Sequence, residues 1–387
     1  MAVSIYRICV LLALAVVCSF FTVHAGKTIC VPRCTDGGPS IRSRRDLQEL
    51  DRELLRRGSG ALPSDGPARF RGYDLDELAA AATRFRRTLY GDNDIDDPMD
   101  VSHLPMGVRA NIAGVVAIMQ RSQLNEKVTP TLLMAETTAA TAENLCPRER
   151  FRDQIVAAQC TGYLIAPDLV VTASHCFKSN NSGSLRFVFG FEMTKSGPKR
   201  EYGEGDVRHG VIAYRSSPCL RPERDFVVYQ LTDADDNSFP VSHRPLVRAK
   251  DVAHSGDRVY MLGFPLGTPL KYSRNARVRA MVNDVFFKAN LDGYDHNSGS
   301  PVFSRDHEII GMHVRGVKAL FNSCGCERST ACPNNGCDGE DATHISHLPS
   351  IADIRETIRR IKEDGYEPPT GDCEREHCDS PCNSQLF

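Results

Sequence analysis

The chain has 387 residues, 41% of them hydrophobic and 25% charged. Length and composition fit one large or two ordinary globular domains plus appendages, and exclude collagen-like or wholly disordered chains. Forty-seven basic against 49 acidic residues give a net charge of −2, with Trp absent and 7% aromatics. That balance offers no electrostatic grip on nucleic acid or anionic lipid, and no platform for stacking bases. Fifteen cysteines point to an oxidising compartment.

Taken in chain order, the first element is a targeting signal. Arg7 precedes the apolar run from Ile8 to Phe21, and Val23-His24-Ala25 offers small residues at the −3 and −1 positions of a cleavage site. The run is shorter than the roughly 20 residues needed to span a bilayer. Residues 1–25 are therefore read as a cleaved signal peptide and the mature chain as secreted, with no membrane association once the signal is removed. Cys9 and Cys18 leave with it, so an odd number of cysteines remains, and at least one is unpaired or pairs between chains.

Residues 26–98 read as a partly helical N-terminal extension or propeptide. They contain Cys30 and Cys34, a dibasic Arg44-Arg45, and Leu47, Leu50, Leu54 and Leu55 at helical spacing; Leu75 to Tyr90 is a second amphipathic helical pattern. The acidic, turn-rich stretch 91–98 is the boundary. From 99 to 358 the texture is all-β. Short apolar runs at 112–119, 162–165, 169–172, 185–191, 226–231, 258–263, 278–287, 301–303 and 308–314 are separated by Gly, Pro, Asp and Asn, which fits a barrel or a sandwich. Ile351 to Ile361 is an amphipathic helix that closes the domain, and 359–387 is a polar tail with Cys373, Cys378 and Cys382.

Three spots carry chemistry. Val170 to Cys176 (VVTASHC) places His175 directly after an apolar strand. If Cys160 and Cys176 are bonded, the loop they close holds the imidazole in place, a contribution of about 3 kcal/mol in the chain-entropy model. Asp225 opens the β-branched strand Phe226 to Leu231. Ser298, in Asn297-Ser298-Gly299-Ser300-Pro301, sits on a tight turn where backbone N–H groups can converge on an oxyanion. Each alone has an ordinary reading as a surface or turn residue; the order His175, Asp225, Ser298 with these contexts does not.

The chain resembles the trypsin-like, chymotrypsin-fold serine peptidases, specifically the branch reading G-N-S-G-S-P-V at the nucleophile and close to the secreted glutamyl-endopeptidase-like enzymes. The matching residues are T-A-S-H-C with its upstream cysteine, the Asp-aliphatic strand, N-S-G-S-P-V-F, L-C-P-R-E-R-F-R-D-Q at 145–154, G-F-P-L-G-T-P-L-K at 263–271, and the Cys324–Asp341 block. The resemblance spans roughly 105–350 and implies two packed six-stranded antiparallel β-barrels, a Cys160–Cys176 disulfide, and a secreted serine endopeptidase that needs no cofactor and acts on polypeptide substrates. Ser298 would attack the scissile carbonyl, His175 would act as base and then acid, and Asp225 would orient His175. The backbone N–H groups of His296 and Ser298 would form the oxyanion hole.

Two departures stand out. Asp295-His296 replaces the branch's Gly-Gly. A side chain penalises the turn by about 1 kcal/mol if positive φ is required, and Asp295 adds negative charge near the oxyanion. The alternative function is therefore a catalytically impaired relative that serves as a protein-binding module. Asn297 replaces the Asp that pairs with a newly freed amine in the G-D-S-G branch, so control by the 26–98 segment would be steric.

Three residues mark the substrate pocket: Asp292, six residues before Ser298; His313, fifteen after it and resembling the glutamate-binding His of glutamyl endopeptidases; and Arg315, which could neutralise Asp292 or bind an acidic side chain. They imply a preference for a charged residue before the cleaved bond, basic or acidic. Cys324, Cys326, Cys332 and Cys337 lack usual zinc spacing, so no metal is expected, and Cys146 could pair with Cys219. Asn180-Asn181-Ser182 is a glycosylation sequon.

Overall fold

In the computed structural model, residues 89–91, 93–176, 184–216, 225–316, 319–323, 325–329 and 331–366 are described, with short stretches between 21 and 78. The chain divides into Met1–Ala82 with Asn322–Gly325, and Thr83–Phe321 with Cys326–Phe387. In the first unit Phe21–His24 pairs antiparallel with Lys27–Cys30, and Leu50, Phe70 and Leu78 are fully buried. The cleavage point, most of the extension, the sequon, Cys219 and the tail from 367 lie outside the described residues.

The second unit holds twelve principal strands. Strands β1 (Val115–Gln120), β2 (Ala158–Ala166), β3 (Leu169–Thr172), β4 (Leu185–Phe189), β5 (Val207–Arg215) and β6 (Val227–Thr232) close a barrel in the order β4-β5-β6-β3-β2-β1. Strands β7 (Arg258–Gly263), β8 (Lys271–Met281), β9 (Phe286–Ala289), β10 (Pro301–Ser304), β11 (Ile309–Arg315) and β12 (Glu340–His344) run in the order β7-β10-β11-β12-β9-β8. The pairing of β7 with β8 closes this second ring. Two six-stranded antiparallel barrels are thus present, as expected.

The burial pattern explains why the strands read as continuous apolar runs. In β1, Val116 and Ile118 belong to the interior cluster of the first barrel with Leu164, Val170, Phe187 and Tyr229. The alternate residues Val115, Ala117 and Met119 belong to a larger cluster that also takes Tyr260, Leu262 and Phe303 from the second barrel. Likewise Val259 and Met261 of β7 fill the second barrel. A strand buried on both faces has no polar alternation to show.

Four expectations change. The run 278–287 is not one strand: Asn283 Oδ1 accepts the N–H groups of Val285 and Phe286, each at 2.8 Å, an Asx-type turn that separates β8 from β9. Leu89–Tyr90 ends no helix; it is a strand paired in parallel with Ala331–Cys332. Ile95–Asp96 pairs with β8, so these two residues of the 26–98 segment join the sheet of the second barrel. The closing helix, expected over Ile351–Ile361, runs one turn further, Ile351–Asp364, from a Ser350–Asp353 capping box to Gly365 at φ 67°.

Candidate active site

His175 lies in the turn Ser174–Cys176 at the end of β3, and Asp225 lies two residues before β6. Since Thr172 pairs with Val227, the register of β3 and β6 brings the two residues together. Asp225 Oδ1 accepts the backbone N–H of His175 at 3.0 Å, and Oδ2 lies 2.5 Å from His175 Nδ1. The double contact fixes the imidazole and assigns the Nδ1 proton to the carboxylate, leaving Nε2 as the basic nitrogen. Burial pushes the Asp225 carboxyl up, but its hydrogen bonds from His175 and from the Ser174 backbone outweigh that and hold it below the usual range. Behind this pair, Arg215 Nε donates to Ser174 Oγ at 2.9 Å, and Cys160–Cys176 is bonded.

Ser298 sits in the loop between β9 and β10. Its carbonyl accepts Thr161 N–H of β2 at 2.9 Å, Cys176 Sγ is 3.8 Å from the same oxygen, and its Oγ lies 3.5 Å from Val314 O. Gly299, at φ 87°, makes this docking possible: a Cβ there would stand 2.1 Å from Thr161 O and 2.4 Å from Thr172 Oγ1. The turn of the second barrel is thus seated on β2 and β3 of the first, beside the turn that carries His175.

His296 adopts φ 74°. Its Nδ1 lies 2.9 Å from Gln159 O and its carbonyl accepts from Thr161 Oγ1 at 3.3 Å, so the side chain ties down the turn that a glycine would otherwise have made easy. Asp295 is exposed, and its charge is solvated. Among the described residues, neither His296 N–H nor Ser298 N–H has a hydrogen-bond acceptor.

The pocket residues separate. Asp292 is buried, and both of its oxygens are engaged by backbone: Oδ1 accepts Tyr90 N–H at 2.6 Å and Oδ2 accepts Asp94 N–H at 2.8 Å. Burial, only partly offset by these bonds, pushes its carboxyl up to about 7. Arg315 pairs with Asp341 and not with Asp292. Its Nε donates to Asp341 Oδ2 at 3.0 Å and its guanidinium lies over Phe286, because β11 and β12 place Arg315 opposite Asp341.

His313 is buried between Asn297 O, 3.3 Å from Nδ1, and Glu340 Oε2, 2.7 Å from Nε2. Glu340 is the residue that sequence reasoning missed. It is buried, its Oε1 has no hydrogen-bond partner, and burial pushes its carboxyl up against the His313 bond. The carboxylate lies 3.4 Å from where a Gly293 Cβ would be and 1.7 Å from that of Gly316. An acid in the polar run Glu340–His344 gives no sign of burial; only the pairing of β12 with β9 and β11 encloses it.

Cys146 pairs with Cys326, not Cys219, and Cys332 with Cys337. Three of the four cysteines weighed as a zinc set are therefore in disulfides.

Residues 160–312 match the trypsin-like peptidase domain. The match spans His175, Asp225 and Ser298. Among solved structures, the chain is similar to the Rv3671c protease from M. tuberculosis in its active form, at 17% identity over 72% of this chain and 93% of that one, with a TM-score of 0.37. The inactive form of that protease matches at 16% identity over 69% and 98%, with a TM-score of 0.35.

Proposed function

We propose that this protein is a secreted serine endopeptidase, exported by its 1–25 signal, that hydrolyses polypeptides after a basic residue. The observation that carries the reading is the two-point grip of Asp225 on His175, beside a serine turn seated on Thr161. Ser298 Oγ attacks the scissile carbonyl as its proton passes to His175 Nε2. The tetrahedral oxyanion accepts from His296 and Ser298 N–H, and the imidazolium, stabilised by Asp225, returns the proton to the leaving amine. Water then enters by the same route and hydrolyses the acyl-enzyme. Losing one oxyanion donor costs such enzymes about 10²–10³ in rate, so two N–H groups without internal acceptors favour the active reading over the binding module.

The basic preference follows from His313. Its Nε2 already holds the Glu340 carboxylate, so a substrate glutamate would find no donor there and would meet a second acid. A lysine or arginine would instead be favoured by the Glu340 carboxylate enclosed behind His313, whose Oε1 lacks a partner.

Labelling of the secreted protein by a fluorophosphonate probe, beside a Ser298→Ala control, tests the enzyme. Labelling absent from wild type, and still absent after removal of 26–82, would leave only the binding module. A peptide library then tests the pocket. Glu340→Gln, which keeps an acceptor for His313, is expected to lower kcat/KM on lysyl and arginyl substrates by about 10–100-fold relative to uncharged ones, the range for losing a charge-assisted hydrogen bond. Cleavage after glutamate by the wild type would refute the basic preference.

A further inference from the structure

A cavity of about 400 Å³ lies on the second barrel, lined among others by Arg258, Arg274, Arg277, Arg305, Tyr260 and His307. It is removed from the catalytic turn: Ser298 precedes β10, whereas Arg305 and His307 follow it, a separation of about 13 Å along the four-residue strand.

Two features of β7 and β8 create the cluster. Arg258 and Arg277 are direct cross-strand partners, a like-charge pairing that ordinarily destabilises a sheet. The register then shifts between Val259 and Met261, and Asn275 takes φ 60°. Such a bulge re-aims neighbouring side chains. Arg274, in the bulge, has a buried Nε with no partner while its Nη2 lies 2.8 Å from Asp96 Oδ2. The floor is rigid: Tyr260 stacks on Phe303, and its hydroxyl is held by Asn111 Nδ2 at 3.1 Å and His307 Nδ1 at 3.0 Å.

No aspartate or glutamate lines the cavity. Asp96 is shared by Arg274 and Arg150, and Asp257 is turned onto the backbone N–H of His254. Arg277 donates to Gly256 O; neither the Arg258 nor the Arg305 guanidinium has an ion-pair or hydrogen-bond partner among the described residues. On a chain of net charge −2, four guanidiniums around one concavity form a local positive focus. Guanidinium forks match the oxygens of sulfate and phosphate in pairs, and the volume suits a ring-sized ligand.

We propose that this cavity is a second binding site, for a compact ligand bearing several sulfate or phosphate groups. The ligand supplies the negative charge that the facing pair Arg258 and Arg277 lacks. A long polyanion is disfavoured because the cationic residues form a cavity, not a stripe.

The test is calorimetric titration of the intact mature protein at 0.15 M salt, with inositol hexakisphosphate in one arm and sucrose octasulfate in the other. Saturable binding in either arm is expected, and the stronger arm identifies phosphate or sulfate as the source. The double variant Arg258→Gln/Arg305→Gln should bind at least tenfold more weakly with an unchanged melting temperature in the absence of ligand. Arg258→Lys/Arg305→Lys, which keeps the charge and loses the forks, should fall between. A control pair, Arg359→Gln/Arg360→Gln, removes the same charge from the terminal helix and should bind as wild type. Absence of binding in both arms at 1 mM, or equal weakening in the control pair, would overturn the proposal.

Discussion

His296 is the residue where local preference and function meet most directly. A non-glycine at φ 74° costs on the order of 1 kcal/mol, and the Nδ1 contact with Gln159 O is available to offset it. His296→Gly is expected to leave kcat within about threefold of wild type, since it removes both the strain and the tether. His296→Val, β-branched at a positive φ, is expected to cost about 10² in kcat through a displaced oxyanion donor. Steady-state kinetics on one peptide decide this; a glycine variant more than tenfold slower would mean that the imidazole itself takes part. Asp295 illustrates the converse, a charge that looked harmful in the sequence but points into solvent.

At the scale of elements, Gly299 joins the Ser298 turn to β2 and β3. Gly299→Ala would place a methyl against Thr161 O and Thr172 Oγ1 at a φ that disfavours any side chain. We expect a loss of about 3 kcal/mol from overpacking and strain together, read as a drop in urea midpoint, with labelling of Ser298 reduced. The closing helix is pinned similarly, by Arg355 reaching both oxygens of Asp168, which also accepts Gln230 and Ser238. Arg355→Ala is expected to cost about 1–2 kcal/mol, because Asp168 keeps its other donors; an unchanged denaturation midpoint would show that the contact is not stabilising. The strands visible in the sequence are those buried on both faces. Val207–Arg215 was not, since its residues are mostly half-exposed and Arg208 and Arg215 are buried in it, so neither a period of two nor an apolar run survives.

Across the whole molecule, buried acids set the pH response. Burial raises Asp292 to about 7, above the roughly 3.9 of an unfolded aspartate. Between these values the native state holds more protons there, so its contribution to stability falls as pH rises through that window. Asp168 acts oppositely: burial raises its pKa, but Arg355 and its other donors win and lower it, so its contribution is lost as pH falls below about 4. The Tm is therefore expected to drop by about 5–10 °C between pH 5 and pH 8, with a flatter slope in Asp292→Asn. A slope identical in the variant would remove Asp292 from the account.

Local chemistry was sufficient for what the sequence alone determined. Apolar runs bounded by turn residues marked most barrel strands, an amphipathic pattern marked the last helix, and the contexts of His175, Asp225 and Ser298 marked three residues far apart in the chain as one candidate site. What only the tertiary structure decided depends on which surfaces meet. Strand register set Arg315 against Asp341, the backbone of residues 90 and 94 took both oxygens of Asp292, and barrel closure enclosed Glu340 against His313. Burial and charge pairing are properties of neighbours in space, and a charged residue carries no local mark of whether its neighbour is water, a backbone N–H or another charge.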